Sequence, residues 1–262
     1  MITLAEKSDG RMLSVRLANC DADIAAAQKL RWDIFYGTMG AVADEQLAVG
    51  GLDRDHYDSV CDHLLVEDYA GGEPRVVGTY RLLRRSVAAR HGGFYTAGEF
   101  DLDGFLGGVG AHTELLELGR SCVAPAYRDA GTIQILWRGI ANYLTGHNIA
   151  RMFGCASFPG TDPSDHAAPL SYLYHHHLAS AQLRVRALAS RYVEMAMLPL
   201  GGYDPRQAMR LLPPLIKGYL RVGAMVGNGA VVDRQFNTVD VFMVMPVEAI
   251  AQRYMSRFGA AA

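Results

Sequence analysis

One segment, residues 115–145, constrains the fold of this chain more than any other. Residues 115–123 form an apolar run typical of a strand, and residues 125–131 carry the proline and glycine of a turn. Residues 133–145 then follow with the apolar spacing of an amphipathic helix. A strand that leads through a tight turn into a helix indicates an α/β domain.

The turn predicts an anion site. A helix that begins directly after it directs free backbone N–H groups and partial positive charge at one point. Gly131 permits close approach of a ligand, and Arg128 adds a forked donor that suits phosphate. The alternative is an ordinary turn with a surface arginine.

Two charged residues, Glu117 and Arg120, interrupt the apolar run of the strand. Each is costly to bury alone, so they should be paired or line a cleft. On a regular strand residues three apart face opposite sides, but a β-bulge near Gly119 changes that and splays the strand. Glu117 is then positioned to accept a proton from an attacking amine. The alternative is a structural ion pair.

The remaining pattern predicts an α/β (α+β) fold with a mixed, mostly antiparallel sheet flanked by helices. The predicted strands are 12–17, 63–67, 75–83, 115–123, 151–157 and 239–245. The predicted helices are 21–39, 133–145, 170–178, 206–212, 215–222 and a last one from Pro246 to about residue 258. Residues 40–62, 86–111 and 159–169 are expected to be irregular. We expect a core at 1–180 and a C-terminal extension at 181–262, or one continuous domain.

Composition excludes several classes of protein. The net charge of −2 argues against nucleic-acid binding, and no apolar run is long enough for a transmembrane helix. The N-terminus lacks a signal-peptide profile, and the four cysteines form no CxxC pair. We therefore expect a cytoplasmic protein with reduced cysteines and no bound metal or cofactor.

Charge is distributed unevenly along the chain. Residues 41–68 carry eight acidic residues against Arg54 alone, which would form an acidic lip that attracts a cationic amine. Residues 181–235 carry eight Arg or Lys residues against three acidic ones. Such a basic face suits an acidic carrier protein, or anionic lipid on the inner face of the cytoplasmic membrane. The alternatives are a solvated loop and a mixed surface.

Three other patterns carry less weight. Residues 175–177 are consecutive histidines, which a helix spreads by ~100° each, so they cannot converge on one metal ion. His63 and Asp68 have an HxxxxD spacing, but on a strand they face opposite sides. Ser157 is not in a GxSxG elbow, so no serine nucleophile is supported.

The strand, turn and helix resemble the acyl-CoA signature of the GNAT acyltransferases, roughly (Q/R)xxGx(G/A). Arg128, Gly131 and Ile133 occupy its three places, and Ile133 departs from the small last residue. The resemblance implies that residues of the turn hold the phosphate of the donor. The departure favours a carrier-protein phosphopantetheine, with one phosphate, over coenzyme A. The residues implied in donor binding are Cys122, Val123, Arg128, Gly131, Thr132 and Ile133.

A second resemblance, to the acyl-homoserine-lactone synthases, rests on charged residues in a fixed order. That family has an Arg, a Phe, an Asp pair three apart, an Arg, and a Glu and Arg three apart. The tryptophan that it carries after the Phe has no counterpart near Met39. The matching residues here are Arg31, Phe35, Asp55, Asp58, Arg81, Glu117 and Arg120.

The chain is most similar to the L-ornithine Nα-acyltransferases, over about residues 12–258. The matching segments are residues 61–66 (CDHLLV), 77–83 (VGTYRLL), 116–123 (LELGRSCV), 153–162 (FGCASFPGTD) and 212–220 (LPPLIKGYL). The resemblance implies transfer of a 3-hydroxyacyl group from acyl carrier protein to the α-amine of L-ornithine, giving lyso-ornithine lipid. Alternatives are a homoserine-lactone synthase that uses S-adenosylmethionine, and a non-enzymatic protein that binds acyl chains or membranes.

The family pattern assigns roles to the charged residues. Glu117 would accept the proton of the amine, while the arginines organise the acidic residues or hold the carboxylate of the amino acid. Phe35 would pack on the acyl chain or pantetheine, or in the core. The catalytic set is therefore Glu117, Arg120, Asp58, Asp55, Arg31 and Arg81.

Overall fold

The computed structural model describes residues 4–8 and 10–248. Its strands are β1 (Leu4–Ser8), β2 (Arg11–Leu17), β3 (Asp62–Asp68), β4 (Arg75–Arg84), β5 (Phe100–Asp101), β6 (Glu114–Val123), β7 (Ile149–Pro159), β8 (Arg186–Ala187), β9 (Met225–Asp233) and β10 (Thr238–Pro246). Its helices are α1 (Asp21–Phe35), α2 (Glu45–Gly50), α3 (Arg85–Ala88), α4 (Asp103–Gly107), α5 (Ala130–Gly146), α6 (Ala167–His177), α7 (Pro205–Leu211) and α8 (Pro214–Arg221). Short 3-10 helices cover His56–Ser59, Tyr95–Gly98, Pro125–Tyr127 and Pro163–His166.

The chain divides into two compact units. The first comprises residues 1–93 and 116–148, and the second comprises residues 94–115 and 149–262. The boundary expected near residue 180 falls inside the second unit. As a division between a family core and an extension, it stays a prediction.

The first unit is built on an antiparallel sheet in the order β1, β2, β3, β4, β6. Helix α1 packs on β3 and β4, and α5 packs on β1 to β4. Gly139 of α5 allows this contact, because a Cβ there would lie 2.7 Å from Cγ2 of Val15 and 3.1 Å from Cδ1 of Leu64. The predicted hairpin of β3 and β4 is confirmed.

The second unit has a mixed sheet. Strand β10 pairs antiparallel with both β7 and β9, β8 runs parallel to β9, and β5 pairs antiparallel with β8. Its core is aromatic: the ring of Phe153 lies 4.9 Å from Phe94, 5.3 Å from Phe105 and 5.9 Å from Phe242, between centroids. Helix α6 packs on α7 and β9, and α8 packs on β7. Mixed, mostly antiparallel sheets with packed helices confirm the predicted fold class.

Four strands, β1, β5, β8 and β9, were not predicted from the sequence. Strand β9 contains Gly227 and Gly229, which weaken the apolar pattern of a strand. Gly227 is required by a close approach and Gly229 by its backbone conformation. A Cβ at Gly227 would lie 2.7 Å from the carbonyl oxygen of Val185, and Gly229 has a φ of +93°.

The segments expected to be irregular contain short elements, some of which are held by side-chain caps. Asp44 caps α2 by accepting the N–H of Leu47 at 2.8 Å, within the predicted loop 40–62. Asp162 likewise accepts the N–H of Ser164 at 2.9 Å, within the predicted loop 159–169. Helices α3 and α4, which have no side-chain cap, and strand β5 lie within or at the edge of residues 86–111. The helix predicted from Pro246 to about residue 258 lies mostly outside the described residues.

Some predicted element bounds also differ. Helix α1 ends at Phe35 rather than near residue 39, and α5 begins at Ala130 rather than at 133. The earlier start of α5 brings it to the end of the turn. Within the described ranges, no helix combines the length and the apolar character needed to cross a bilayer.

Candidate active site

Three arginines and three aspartates of the first unit form one ion-pair network. They come from α1, β4, β6 and the segment between α2 and β3, and equal numbers of each charge make the network neutral. Four of the six side chains are almost completely buried. The members are Arg31, Asp53, Asp55, Asp58, Arg81 and Arg120.

Arg31 lies at the centre of this network and is 0% exposed. Its Nε is 2.8 Å from Oδ2 of Asp53, and its NH2 is 2.8 Å from Oδ2 of Asp58. The same NH2 group donates to the carbonyl oxygen of Asp53. Since an unpaired buried guanidinium would be very costly, these contacts fix the segment that carries both aspartates.

The 3-10 helix His56–Ser59 explains why the two aspartates three apart belong together. Asp55 accepts the N–H of Tyr57 at 2.9 Å, and Asp58 accepts the N–H of Asp55 at 3.2 Å, which makes a capping box. Burial alone would raise the pKa of Asp58. The charge and hydrogen bonds of Arg31, with the charge of Arg81, outweigh burial and lower that pKa to about 2.

Asp55 is held between two arginines from neighbouring strands. NH1 of Arg81 lies 2.6 Å from its Oδ1, and NH2 of Arg120 lies 3.2 Å from its Oδ2. Arg81 also reaches Oδ1 of Asp58 at 3.2 Å, and Nε of Arg120 reaches Oδ2 of Asp53 at 3.2 Å. The arginines predicted to organise the acidic residues are therefore in contact with them.

The predicted β-bulge is present in β6. Thr79 of β4 pairs with Cys122, whereas Arg81 pairs with Gly119, so β6 has one residue more than β4 between these pairs. The left-handed residue is Arg120, with a φ of +48°, and not the neighbouring glycine. The extra residue allows the Arg120 side chain to join the network.

Glu117 is buried, with 4% of its surface exposed. It pairs with Leu83 across the sheet, and Arg81 pairs with Gly119, so Glu117 and Arg81 point to the same face. Burial raises the pKa of Tyr57, and the negative charge of Glu117 raises it further. The predicted base therefore lies near the 3-10 helix that carries the aspartate pair.

The turn before α5 is capped from within the chain. Asp129 is the N-cap, and its carboxylate accepts the N–H of Thr132 at 3.0 Å and pairs with Arg11. The N–H of Ile133 donates to the carbonyl oxygen of Asp129 at 3.2 Å. Two of the amides expected to bind phosphate are therefore bonded to Asp129, and Ala130 and Gly131 present the first N–H groups of the helix.

The side chains of the turn divide into exposed and buried groups. Arg128 is exposed, and its Nε donates to the carbonyl oxygen of Val123 at 3.0 Å. Ile133 is 41% exposed, whereas Thr132 is 0% exposed and its hydroxyl has no hydrogen-bond partner among the described residues. The exposed residues are the ones able to meet a donor that arrives from solvent.

Two thiols of the first unit, those of Cys61 and Cys122, are poor nucleophiles near neutral pH. Burial raises the pKa of Cys122 to about 12 and that of Cys61 to about 12, so both stay protonated near neutral pH. Phe35, at the end of α1, is half-buried. Its core role and its acyl-contacting role both stay predictions.

Sequence patterns missed four residues of the network and its surroundings. Asp53 was counted only among the acidic residues of its segment, although it bonds two arginines. Gln28 donates to Oδ2 of Asp58 at 3.0 Å, and Tyr36 donates to Oδ1 of Asp53 at 3.4 Å. Nε2 of His63 lies 3.0 Å from the carbonyl oxygen of Asp58. Only the spacing of Gln28 and Arg31 on one helix face could have indicated any of these.

The prediction of an acidic lip at residues 41–68 is wrong for four of its eight acidic residues. Asp53, Asp58, Glu67 and Asp68 are all at least nine-tenths buried. Glu67 pairs with Arg16 at 2.6 Å, and Asp68 accepts the Tyr127 hydroxyl at 2.7 Å. Charge counting missed this because it does not reveal the arginine partners supplied by distant strands.

The remaining histidine candidates have separate partners. Nε2 of His175 lies 3.0 Å from the carbonyl oxygen of Leu198, and Nε2 of His177 lies 3.3 Å from the hydroxyl of Tyr172. His63 and Asp68 also belong to different networks, since Asp68 bonds Tyr127 while His63 contacts Asp58. None of these pairs forms a joint site.

Comparison of the fold with solved structures gives neighbours of the expected type. FeeM, an N-acyl amino acid synthase from uncultured soil microbes, matches with a TM-score of 0.53 and 10% identity, over 93% of this chain and 95% of that one. The AHL synthase LasI matches with a TM-score of 0.51 and 13% identity, over 95% of this chain and 96% of that one. At these identities the likeness concerns the fold alone.

Comparison of sequences is more specific. Residues 30–138 match the family model described as an acetyltransferase (GNAT) domain. An L-ornithine N(alpha)-acyltransferase of Brucella abortus (strain 2308) is 47% identical, over 95% of this chain and 90% of its own length. An L-ornithine N(alpha)-acyltransferase of Agrobacterium fabrum (strain C58 / ATCC 33970) is 46% identical, over 94% of this chain and 85% of its own length. The resemblance read from the sequence is confirmed, and the chain belongs to the L-ornithine N(alpha)-acyltransferase family, on a GNAT-like fold.

Proposed function

We propose that this enzyme transfers a 3-hydroxyacyl group from acyl carrier protein to the α-amine of L-ornithine, and so makes lyso-ornithine lipid. The observation that carries the proposal is the shared sheet face of Glu117 and Arg81, next to the bulge at Arg120. On this face, the buried carboxylate of Glu117 lies next to a neutral network of fixed ion pairs. Family membership supports the choice of ornithine as acceptor.

The reaction is a direct transfer with no covalent enzyme intermediate. The α-amine of ornithine attacks the thioester carbonyl, and Glu117 accepts the amine proton, directly or through one water. Backbone N–H groups near Cys122 and Val123, at the end of β6, stabilise the oxyanion. The C–N bond forms, the C–S bond breaks, and the phosphopantetheine thiol leaves with a proton. High thiol pKa values at Cys61 and Cys122 support the absence of an acyl-cysteine step.

The α-carboxylate of ornithine binds the arginine side of the network. NH1 of Arg31 is buried and has no partner among the described residues. A planar guanidinium with a spare donor suits a carboxylate, because it offers directed hydrogen bonds. Arg81 and Arg120 keep Asp55 in place while the substrate carboxylate approaches.

The phosphate of the carrier-protein donor binds at the turn before α5. Exposed Arg128 and the N–H groups of Ala130 and Gly131 are the groups available for it. The carboxylate of Asp129 occupies the helix N-terminus and disfavours a second anion there. One phosphate is easier to accommodate than the pyrophosphate of coenzyme A, which supports a carrier-protein donor.

The second unit supplies a surface for an anionic membrane, and we infer a cytoplasmic enzyme bound peripherally to its inner face. Leu200, Met209 and Leu211 are 68%, 46% and 58% exposed. Basic residues of α7 and α8 accompany them, namely Arg206, Arg210, Lys217 and Arg221. Exposed apolar groups beside basic ones suit interfacial binding to anionic lipid.

The test is an acyl-transfer assay with purified protein. 3-Hydroxyacyl carrier protein is incubated with L-ornithine, with other amino acids or with S-adenosylmethionine, and thiol release and products are followed by mass spectrometry. We expect Nα-acyl-ornithine as the product. A homoserine lactone, or an acyl group on another amine, would overturn the ornithine assignment. The absence of acyl transfer to any of these amines would overturn the proposed reaction.

Glu117→Gln tests the assigned base. We expect kcat to fall by about 10²-fold or more, since general-base catalysis contributes that much. Glu114→Gln on the same strand is the matched control and should keep nearly full activity. Full activity in Glu117→Gln would refute the assignment of Glu117 as the base, but it would not contradict acyl transfer to ornithine.

A further inference from the structure

Three buried carboxylates of the second unit come together outside the proposed acyl-transfer machinery. Glu99 lies just before β5, Asp233 ends β9 and Asp240 lies in β10. They are 4%, 8% and 6% exposed. One carboxylate oxygen from each lies within 4.8 Å of the other two. Such close packing of three acids is unfavourable without a counter-charge.

The pairing of β9 and β10 fixes the geometry of this cluster. Thr238 pairs directly with Asp233, and Asp240 lies two residues further along β10. Directly paired residues and residues two apart share a sheet face, so the Thr238 hydroxyl points to the same side as both carboxylates. The third carboxylate, Glu99, lies beside the other two. It accepts a hydrogen bond at Oε2 from the thiol of Cys155 in β7, at 3.4 Å.

Two polar atoms of the cluster have no hydrogen-bond partner among the described residues. They are Oγ1 of Thr238, in a residue only 2% exposed, and Oδ1 of Asp240. Leaving such atoms buried and unpaired costs about 1–3 kcal/mol each. Both are oxygens with free lone pairs, which is the requirement for binding a cation.

The charge of the cluster also remains unbalanced. Arg191 contributes one cation, with its NH2 3.2 Å from Oε1 of Glu99. Oδ1 of Asp233 accepts the N–H groups of Gln235 and Phe236, which are neutral donors. If all three carboxylates are ionised, one guanidinium leaves two negative charges. A divalent cation would balance them.

We propose that Glu99, Asp233, Asp240 and the Thr238 hydroxyl bind one hard divalent metal ion of the Mg²⁺, Mn²⁺ or Ca²⁺ class. Two oxygens bound to one Ca²⁺ at ~2.4 Å lie at most ~4.8 Å apart, which the cluster satisfies. All these ligands are oxygens, and hard cations prefer oxygen. The ion would be structural, since it links the segment before β5 to the β9–β10 hairpin.

The test uses the full-length protein after dialysis against EDTA, with Mn²⁺ as the probe. Free Mn²⁺ is measured by electron paramagnetic resonance, and Mg²⁺ and Ca²⁺ are added as competitors. We expect about one saturable Mn²⁺ per chain and a rise in Tm with the metal. Binding by ligand oxygens that converge on one ion predicts this stoichiometry.

Variants separate this site from surface acids. Asp240→Asn and Glu99→Gln should weaken Mn²⁺ binding at least tenfold, and Thr238→Val should weaken it without a change in charge. Asp165→Asn, at an exposed position, is the control and should bind like the wild type. Asp240→Asn removes a buried charge, so its fold should survive the substitution.

Several results would overturn the metal site. They are the absence of saturable Mn²⁺ binding at millimolar concentration, wild-type affinity in Asp240→Asn, or the absence of a Tm rise with divalent ions. Metal binding is measured without acyl transfer, so its outcome is independent of the proposed function.

Discussion

The NH2 group of Arg120 lies 3.2 Å from Oδ2 of Asp55, although the backbone of Arg120 has a φ of +48°. A side chain in this region of the backbone map costs about 1–2 kcal/mol, so the ion pairs hold a strained residue. Arg120→Ala and Arg120→Gly lose the same contacts, but only glycine relieves the strain. We expect Arg120→Gly to be about 1 kcal/mol more stable than Arg120→Ala in urea unfolding. Equal stability of the two variants would show that the bulge is unstrained.

Removal of the central arginine should destabilise the first unit strongly. Arg31→Met leaves Asp53 and Asp58 buried without their main cation, at a cost of about 3–5 kcal/mol. The measurement is the free energy of unfolding in urea. Lys29→Ala is the control, because the pair of Lys29 and Asp33 is more than half exposed and such pairs contribute less than about 1 kcal/mol. Similar losses in the two variants would contradict a buried network.

The buried imidazole of His63 predicts a loss of stability in mild acid. Burial lowers its pKa in the folded state below the unfolded value of about 6.5. The unfolded chain therefore binds the proton more readily, so this contribution is present above pH 6.5 and is lost as pH falls through the folded pKa. His63→Gln should lose less stability than the wild type between pH 7.5 and 5.5, in urea unfolding at each pH. The exposed His112→Gln should follow the wild type, and a wild-type slope in His63→Gln would refute the argument.

The carboxylate of Asp129 should weaken donor binding if phosphate binds at this turn. Asparagine is an equally good N-cap, so Asp129→Asn keeps α5 and removes one negative charge. We expect the KM for acyl carrier protein to fall severalfold in Asp129→Asn and to rise in Arg128→Ala, with kcat little changed in both. Steady-state kinetics with the carrier-protein donor measures this. An unchanged KM in both variants would locate the phosphate elsewhere.

The exposed apolar residues of the second unit should determine vesicle binding. The double variant Leu200→Ser and Leu211→Ser loses two side chains that would each contribute about 1.5 kcal/mol or more on burial. We expect sedimentation with phosphatidylglycerol vesicles to fall at least tenfold. Val49→Ser, 92% exposed in the first unit, is the matched control and should sediment like the wild type. Equal loss in both would contradict a defined membrane surface.

The sequence predicted most long elements because apolar periodicity records which face of each element is buried. The β-bulge could also be predicted, since two charges three apart on an apolar strand have few other solutions. Its left-handed residue was not, because ion pairs hold Arg120 in a conformation that its own propensity disfavours. Asp53 escaped notice because its partners, Arg31 and Arg120, are 22 and 67 residues away.

The turn before α5 shows a different limit of prediction from sequence. Gly131 and Arg128 match the family pattern, and the helix begins where an anion site requires it. The pattern does not include Asp129, so it could not predict that the cap takes the N–H of Thr132. Local propensity explains this afterwards, because aspartate is among the preferred N-caps.

The neutral cluster of three arginines and three aspartates also governs how this sequence can diverge. A substitution at any one member leaves the charges of its partners buried without a counter-charge. Single substitutions therefore lower stability even where a compensated double substitution would be tolerated. The six positions should therefore show strong epistasis, with penalties that depend on the order in which substitutions accumulate. Change at this centre would have to arrive as compensated pairs, while exposed positions such as Val49 remain free to drift one at a time.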